Sequence, residues 1–250
     1  AAIAAWVKKG GRLLATAGAG MFDEYNQPNK VFRELLGVDQ SALEAPAAKQ
    51  IGYIKQDLPF VDPVDTVTWK HGDRTVAIPA FGACSRFAVK GAEVIGTFSD
   101  GTPAISRRAV GTGTAIYCGF LPSLSYYKPA TPARPVDRGS SDASFSHFIP
   151  TAFDANASAL IALPAAGVAR QVTCSNPLVE AKIIQHKEGS VITLVNWSDG
   201  PVEDLTVTVN VRTRSSKAYL ASGAPVTVVS KKKPAVFSLS LDVADALVLP

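Results

Sequence analysis

The sequence predicts an α/β layer followed by an all-β one, and three observations carry that prediction. Residues 1–17 run through a short helix, a double glycine and a short apolar segment, the αβ half of a doubly wound unit. From Val67 the hydrophobic period switches to two, with turn residues between the alternating runs. Beyond Val168, six or seven short strands recur at the spacing of an antiparallel sandwich. The chain therefore divides near Gly167: residues 1–167 form a partial doubly wound sheet elaborated by β-hairpins, and residues 168–250 a small antiparallel β-sandwich.

Ala1 to Lys9 places Ile3, Trp6 and Val7 on one helical face, with Gly10-Gly11 as the stop. No initiator Met, charged leader region or cleavage pattern precedes it, so the helix reads as caught mid-course and residues 1–167 as N-terminally incomplete. Arg12 to Ala17 is the mostly apolar run of a parallel strand. Gly18-Ala-Gly20 opens a loop through Asp23, Glu24 and Asn26. A second helix runs from Pro28, near its first turn, to Leu36, with Gly37 as its cap. After a polar stretch containing Pro46, Pro59 and Pro63, strands are expected at residues 67–69, 75–81, 86–89, 93–98, 104–108 and 114–120. Tyr126 to Pro150 has no periodicity and reads as a long surface loop, while Phe148 to Leu163 returns to helical spacing. The strands of the second region fall at residues 171–174, 179–186, 190–196, 205–211, 218–220, 227–229 and 236–241, and a last run follows at 246–249. Lys187-Glu-Gly-Ser190 and Ser198-Asp-Gly-Pro201 supply hairpin turns.

Composition excludes several functions. At 47% hydrophobic and 18% charged the chain is globular rather than disordered. No run reaches the roughly 18 apolar residues of a membrane helix. The net charge of +4 is spread evenly, with 16 basic and 14 acidic residues in 1–167 and 9 and 7 in 168–250. Lys231-Lys232-Lys233 is the one basic run, so no nucleic-acid surface is expected. Cys84, Cys118 and Cys174 lack the pairing of a disulfide framework or a zinc site, and His71, His147 and His186 fall in separate turns, so no metal is expected. Cytoplasmic, periplasmic and secreted locations all fit.

Three stretches resemble a known arrangement. Trp6-Val-Lys-Lys-Gly-Gly-Arg-Leu-Leu, Phe22-Asp-Glu and Phe32-Arg-Glu-Leu-Leu-Gly-Val38 are similar to the amidotransferase-like α/β domain of family-42-type β-galactosidases, often called the trimerisation domain. The segment from Ala92 to Arg108, followed by Val110 to Tyr117, resembles the close of that domain, and residues 168–250, with Val191-Ile-Thr-Leu-Val-Asn-Trp197 at their centre, the small β-sandwich that follows it. The resemblance implies that catalytic acids sit in an upstream barrel, that this region is non-catalytic, and that its partners are that domain and further copies of itself.

The residues offer few chemistries of their own. Gly82-Ala-Cys84 resembles the start of a nucleophile elbow, and His186-Lys-Glu188 has the spacing of a base and its orienting carboxylate. Arg86 fills the position that an elbow reserves for a small residue, and the strand runs on through Phe87–Val89. Asp23 and Glu24 lie at the edge where α/β sheets place ligands, yet adjacent carboxylates cannot flank a glycosidic bond without a distant partner such as Asp62 or Asp65. Capping the following helix is their simpler role. Gly18-Ala-Gly20 lacks the third glycine of a dinucleotide fingerprint. Trp69, Tyr126, Tyr127 and Trp197 are candidates to stack on sugar rings, which makes a carbohydrate the further candidate partner. Asn156-Ala-Ser158 and Asn196-Trp-Ser198 match the glycosylation sequon.

The expectation is a non-catalytic assembly region of a larger glycoside-hydrolase-like protein, needing no cofactor and forming a homo-oligomer. A mean hydropathy of +0.15 in a chain without a membrane segment points to a surface that is covered. The candidate ligand-binding residues are Asp23, Glu24, Trp69, Tyr126 and Tyr127. The alternatives are a carbohydrate-binding module and a Cys84-dependent hydrolase or amidotransferase.

Overall fold

The computed structural model describes residues 1–45, 62–130, 152–212 and 217–250. The expected loop beyond Ala130, the start of the helix expected from Phe148, His147, and the prolines at 46 and 59 lie outside the described residues. The described chain is mostly β-structure and divides into two compact units, the first comprising residues 1–45, 62–130 and 152–166, the second beginning at Gly167.

In the first unit, helix α1 (Ala2–Lys8) ends at Gly10, whose φ of 112° suits glycine. Gly11 is required sterically, because a Cβ there would lie 2.4 Å from the Trp6 ring. Only Val7 of the expected apolar face is buried; Ile3 and Trp6 stay exposed. Strand β1 (Arg12–Thr16) pairs in parallel with β8 (Gly113–Cys118) from Arg12 opposite Thr114 to Thr16 opposite Cys118.

Helix α2 (Lys30–Leu36) is capped by Asn29, whose side-chain oxygen accepts the Phe32 N–H at 3.2 Å. Pro28 therefore stands before the cap and not in the first turn, and Asp23 and Glu24 do not cap this helix. Gly37, in the left-handed region at φ 65°, reverses the chain into β2 (Val38–Glu44), a strand that sequence pattern missed. β2 pairs antiparallel with β5 (Cys84–Val89).

Hairpins supply most of the main sheet. β3 (Asp65–His71) and β4 (Arg74–Ala80) form one, and β6 (Glu93–Thr97), β7 (Pro103–Val110) and β8 continue antiparallel. The order is β1-β8-β7-β6-β3-β4, so one parallel pair stands at the edge of an otherwise antiparallel sheet. Alternation along β8 loads both faces. Tyr117 packs with Val7, Leu36, Val38 and Phe87 on one side. Ile116 packs with Trp69, Ile78, Phe98, Phe120 and Leu160 on the other. Helix α3 (Pro122–Tyr127) occupies the start of the segment expected to be a loop, with Pro122 at its first position, and packs beside α4 (Ala155–Ile161), which Asp154 caps by accepting from Ala157 N–H at 2.7 Å.

In the second unit every ladder is antiparallel. One sheet has β10 (Val179–His186), β11 (Gly189–Asn196), β16 (Ala244–Leu249) and β13 (Tyr219–Leu220) in that order. The other has β14 (Val226–Ser230), β15 (Ala235–Leu241), β12 (Val202–Val209) and β9 (Val172–Cys174). Ile192, Leu194, Leu220 and Leu247 from the first sheet and Leu205, Val207, Phe237 and Leu239 from the second fill one core. Burying each such side chain contributes about 1.5–3 kcal/mol.

The two outer faces differ. On the second sheet, Thr173, Thr208, Val236 and Ser230 form one cross-strand row and Thr206, Ser238 and Thr227 another, the hydroxyl-rich surface of a solvated sheet. On the first sheet, Ile184, Val191, Val248 and Tyr219 pair in one row across all four strands. Ile184 is 61% and Tyr219 52% exposed.

Candidate functional site

The loop after β1 carries the candidate residues Asp23 and Glu24. Gly18 and Gly20 have φ of 81° and 62°, and a Cβ on Gly20 would lie 2.4 Å from the Phe32 ring. Asp23 closes the loop on itself, its Oδ1 accepting the backbone N–H groups of Tyr25 at 3.0 Å and Gln27 at 2.9 Å. Its carboxylate is therefore engaged in loop geometry, and the exposed Glu24 beside it does not make a pair that flanks a substrate. The loop carries Phe22, 54% exposed, and Tyr25, 77% exposed. A cleft of about 240 Å³ at its base is bordered by Met21, Phe22, Val38, Gln40 and Ala42.

The aromatic candidates fare differently. Trp69 was expected to be exposed, but it is only 1% exposed: it shares the core-facing side of β3 with Val67 and is covered by His71, stacked on it at 4.5 Å and 8°. Tyr126 stacks on Phe153 at 4.5 Å, with Tyr127 tilted against the same ring at 6.3 Å, so Phe153 gathers both tyrosines. Trp197 belongs to the second unit, is 58% exposed, and donates its indole N–H to Glu180 at 3.4 Å. The Asn196 amide of the sequon donates to the Gly200 and Asp242 carbonyls at 2.8 and 2.6 Å, which occupies the nitrogen a glycan would need. The other sequon asparagine, Asn156, donates to the Ala77 carbonyl at 3.3 Å.

The described surroundings of Cys84 favour its protonated thiol on balance. Burial pushes its pKa up to about 11; Asp65 and Glu44 raise it further, and Arg86 opposes them. His186, in the other unit, accepts the Glu188 N–H at 3.3 Å within its own turn. Cys118 is raised further by full burial.

The charged cluster that sequence reasoning missed surrounds Arg86. Its guanidinium donates to Asp65 at 2.7 Å and to Thr102 Oγ1 at 3.1 Å, approaches Asp100 at 3.5 Å, and lies 4.0 Å over the Phe98 ring. Burial raises the Asp65 pKa, but hydrogen bonds from Ser99, Thr66 and Arg86 outweigh it and hold the carboxyl below its ordinary value. One signal was present, since Arg86 occupies the position that spoils an elbow. Beneath it, Tyr117 donates to Gln40 Oε1 at 2.8 Å and Gln40 donates to the Ala19 carbonyl at 3.0 Å, while Ser85 donates to the Ser41 carbonyl at 2.9 Å. Burial pushes the Tyr117 hydroxyl up to about 12.

A polar cleft of about 630 Å³ opens between β3 and β6, close in size to one of about 650 Å³ bordered by Asp23, Glu24, Asn29 and Lys30. Thr68, Lys70 and His71 line one side, and Glu93, Thr97 and Arg107 the other. Arg107 donates to Glu93 at 2.8 Å across the β6–β7 ladder. Among the described residues, no group of three or more His, Cys, Asp or Glu is placed to hold a metal, and no helix is long and apolar enough to cross a membrane.

Residues 1–129 match the family described as the β-galactosidase trimerisation domain. Among solved structures, the chain is similar to the β-galactosidase of Rahnella sp. R3, at 18% identity and a TM-score of 0.59 over 98% of this chain and 29% of that one. It is similar to the β-galactosidase of Bacillus circulans sp. alkalophilus at 14% identity and 0.57, over 99% and 30%. It is also similar to α-L-fucosidase isoenzyme 2 of Paenibacillus thiaminolyticus at 14% identity and 0.56, over 99% and 38%. At these identities the likeness is one of fold. The chain spans less than a third of the length of the two β-galactosidases. No curated protein matches it by sequence.

Proposed function

The chain belongs to the β-galactosidase trimerisation domain family, and from that membership we propose that it is a non-catalytic assembly region that joins copies of itself and packs on the catalytic part of a larger glycoside hydrolase. The observation that carries this reading is the loop after β1. It holds Phe22 and Tyr25 out to solvent beside the exposed Val31 and Leu43. Closed on itself by the two Asp23 hydrogen bonds, the loop presents these aromatics for an interface without a large ordering cost. The apolar row Ile184–Val191–Val248–Tyr219, exposed at both ends, is a second surface suited to packing on the remainder of the polypeptide. The amidotransferase-like reading of the first unit is supported by the succession of α1 and β1 and by the parallel β1–β8 pair. The boundary at residue 167 and the sandwich reading of 168–250 belong to the same proposal.

The test is the double variant Phe22→Ser, Tyr25→Ser, compared with the unaltered chain by light scattering after size exclusion. The proposal expects the variant to dissociate while its far-UV circular dichroism stays unchanged. An unaltered mass distribution in the folded variant would place the interface elsewhere.

A further inference from the structure

The cleft between β3 and β6 exists because the sheet opens there. The two strands pair only at Thr68 with Thr97 and Trp69 with Gly96. Continuing that register would set Lys70 opposite Ile95 and His71 opposite Val94, but the strands splay instead. The cause lies on the other edge of β6, whose ladder with β7 shifts register on both sides of Gly96. Such irregularities bend a strand. At Gly96 itself the approach is close, a Cβ meeting the Thr68 carbonyl at 3.0 Å, so the gap opens abruptly after a tight pinch. Beyond Trp69 and Gly96 the facing edges of β3 and β6 therefore have no ladder partner across the cleft, and the peptide groups there not committed to β4 and β7 are open donors and acceptors for water or a ligand.

The side chains around these edges are of two kinds. His71 covers Trp69 with one ring face and is itself exposed at the cleft, making an aromatic platform backed by a buried indole. On the same face of the sheet stands the Glu93–Arg107 pair, while Thr68, Lys70, Thr75 and Thr97 border the cleft from the opposite face. An exposed pair of this sort contributes little to stability, so its planar donors and acceptors can engage a ligand. A flat aromatic platform flanked by a carboxylate and a guanidinium group matches a polyhydroxylated ring, with one apolar face and hydroxyls around its rim. The volume of about 630 Å³ lies within the range of small-molecule sites.

We propose that this cleft is a saccharide-binding site, in which His71 stacks on a pyranose face and Glu93, Arg107 and the open peptide edges bind its hydroxyls. The site lies wholly within the first unit, so it is independent of the assembly role proposed above.

The test is saturation-transfer NMR and calorimetric titration of the 250-residue protein with lactose, β-1,4-galactotetraose and cellotetraose. Binding of at least one probe is expected, with a dissociation constant on the order of 1 mM. His71→Ala is expected to weaken it about fivefold to tenfold and Glu93→Gln by a similar factor. Trp197→Ala, an exposed aromatic of the other unit, is expected to leave it unchanged. Both cleft substitutions are at exposed positions, and unchanged melting and light-scattering mass separate lost binding from lost fold or assembly. Absence of binding to all three probes would overturn the proposal, as would wild-type affinity in both cleft variants or loss of binding in Trp197→Ala.

Discussion

Arg86 and Asp65 meet at 2.7 Å, and through this contact β5, a strand of the two-stranded layer, is tied to β3 in the six-stranded sheet. The Asp65 side chain is almost fully buried, whereas the Arg86 side chain is partly exposed and lies on the Phe98 ring. Removing the guanidinium leaves a buried carboxylate with weaker compensation. Arg86→Ala should therefore destabilise the protein by about 1–3 kcal/mol, below the range for fully buried pairs because of that exposure. Urea unfolding measures it, and a change below about 0.3 kcal/mol would mean the pair contributes nothing.

The pH dependence has a definite sign. The Asp65 pKa is lower in the folded state than its ordinary 3.8, so its contribution is fully present above that value and is lost as pH falls through the lower folded one. Asp65→Asn should flatten the acid limb of stability below about pH 4. Unfolding curves between pH 2 and 6 for both proteins check it; an identical acid slope would refute the assignment.

The three thiols should label in order of access. Cys174 is half-buried, Cys84 is buried with a pKa near 11, and Cys118 is fully enclosed. At pH 7.5 a disulfide reagent should modify Cys174 first and the other two only on the timescale of unfolding. A fast-reacting Cys84 would revive a thiol-based activity.

Asn29 and Asp23 should separate cap from loop. Asn29→Ala removes the α2 cap and should cost about 1 kcal/mol. Asp23→Ala releases the Tyr25 and Gln27 amides and should raise hydrogen exchange there, leaving α2 protected. Loss of α2 protection in Asp23→Ala would restore the capping role that the sequence first suggested.

Particular residues show how much of this was legible. Val179 to His186 could be bounded from sequence because alternation and the Lys187-Glu-Gly-Ser190 turn are both local signals. β2 could not, because Gln40 is spent on Tyr117 and Ala19, and a strand whose inward residue is polar loses its alternation. Trp69 was misjudged as a platform although its spacing from Val67 already placed it on the core side; what sequence could not reveal is that His71 would cover it. The Arg86 cluster brings Arg86 of β5 together with Asp65 of β3 and with Phe98, Asp100 and Thr102 of the β6–β7 turn, and no local pattern encodes such a meeting. The β3–β6 cleft is equally invisible, since it follows from register shifts in a neighbouring ladder.

The most direct test of the assembly reading is sedimentation equilibrium of the unaltered chain over a hundredfold range of concentration. The account predicts a mass that rises with concentration toward three copies of the 26.2 kDa chain. A constant mass of 26.2 kDa across the whole range would contradict it.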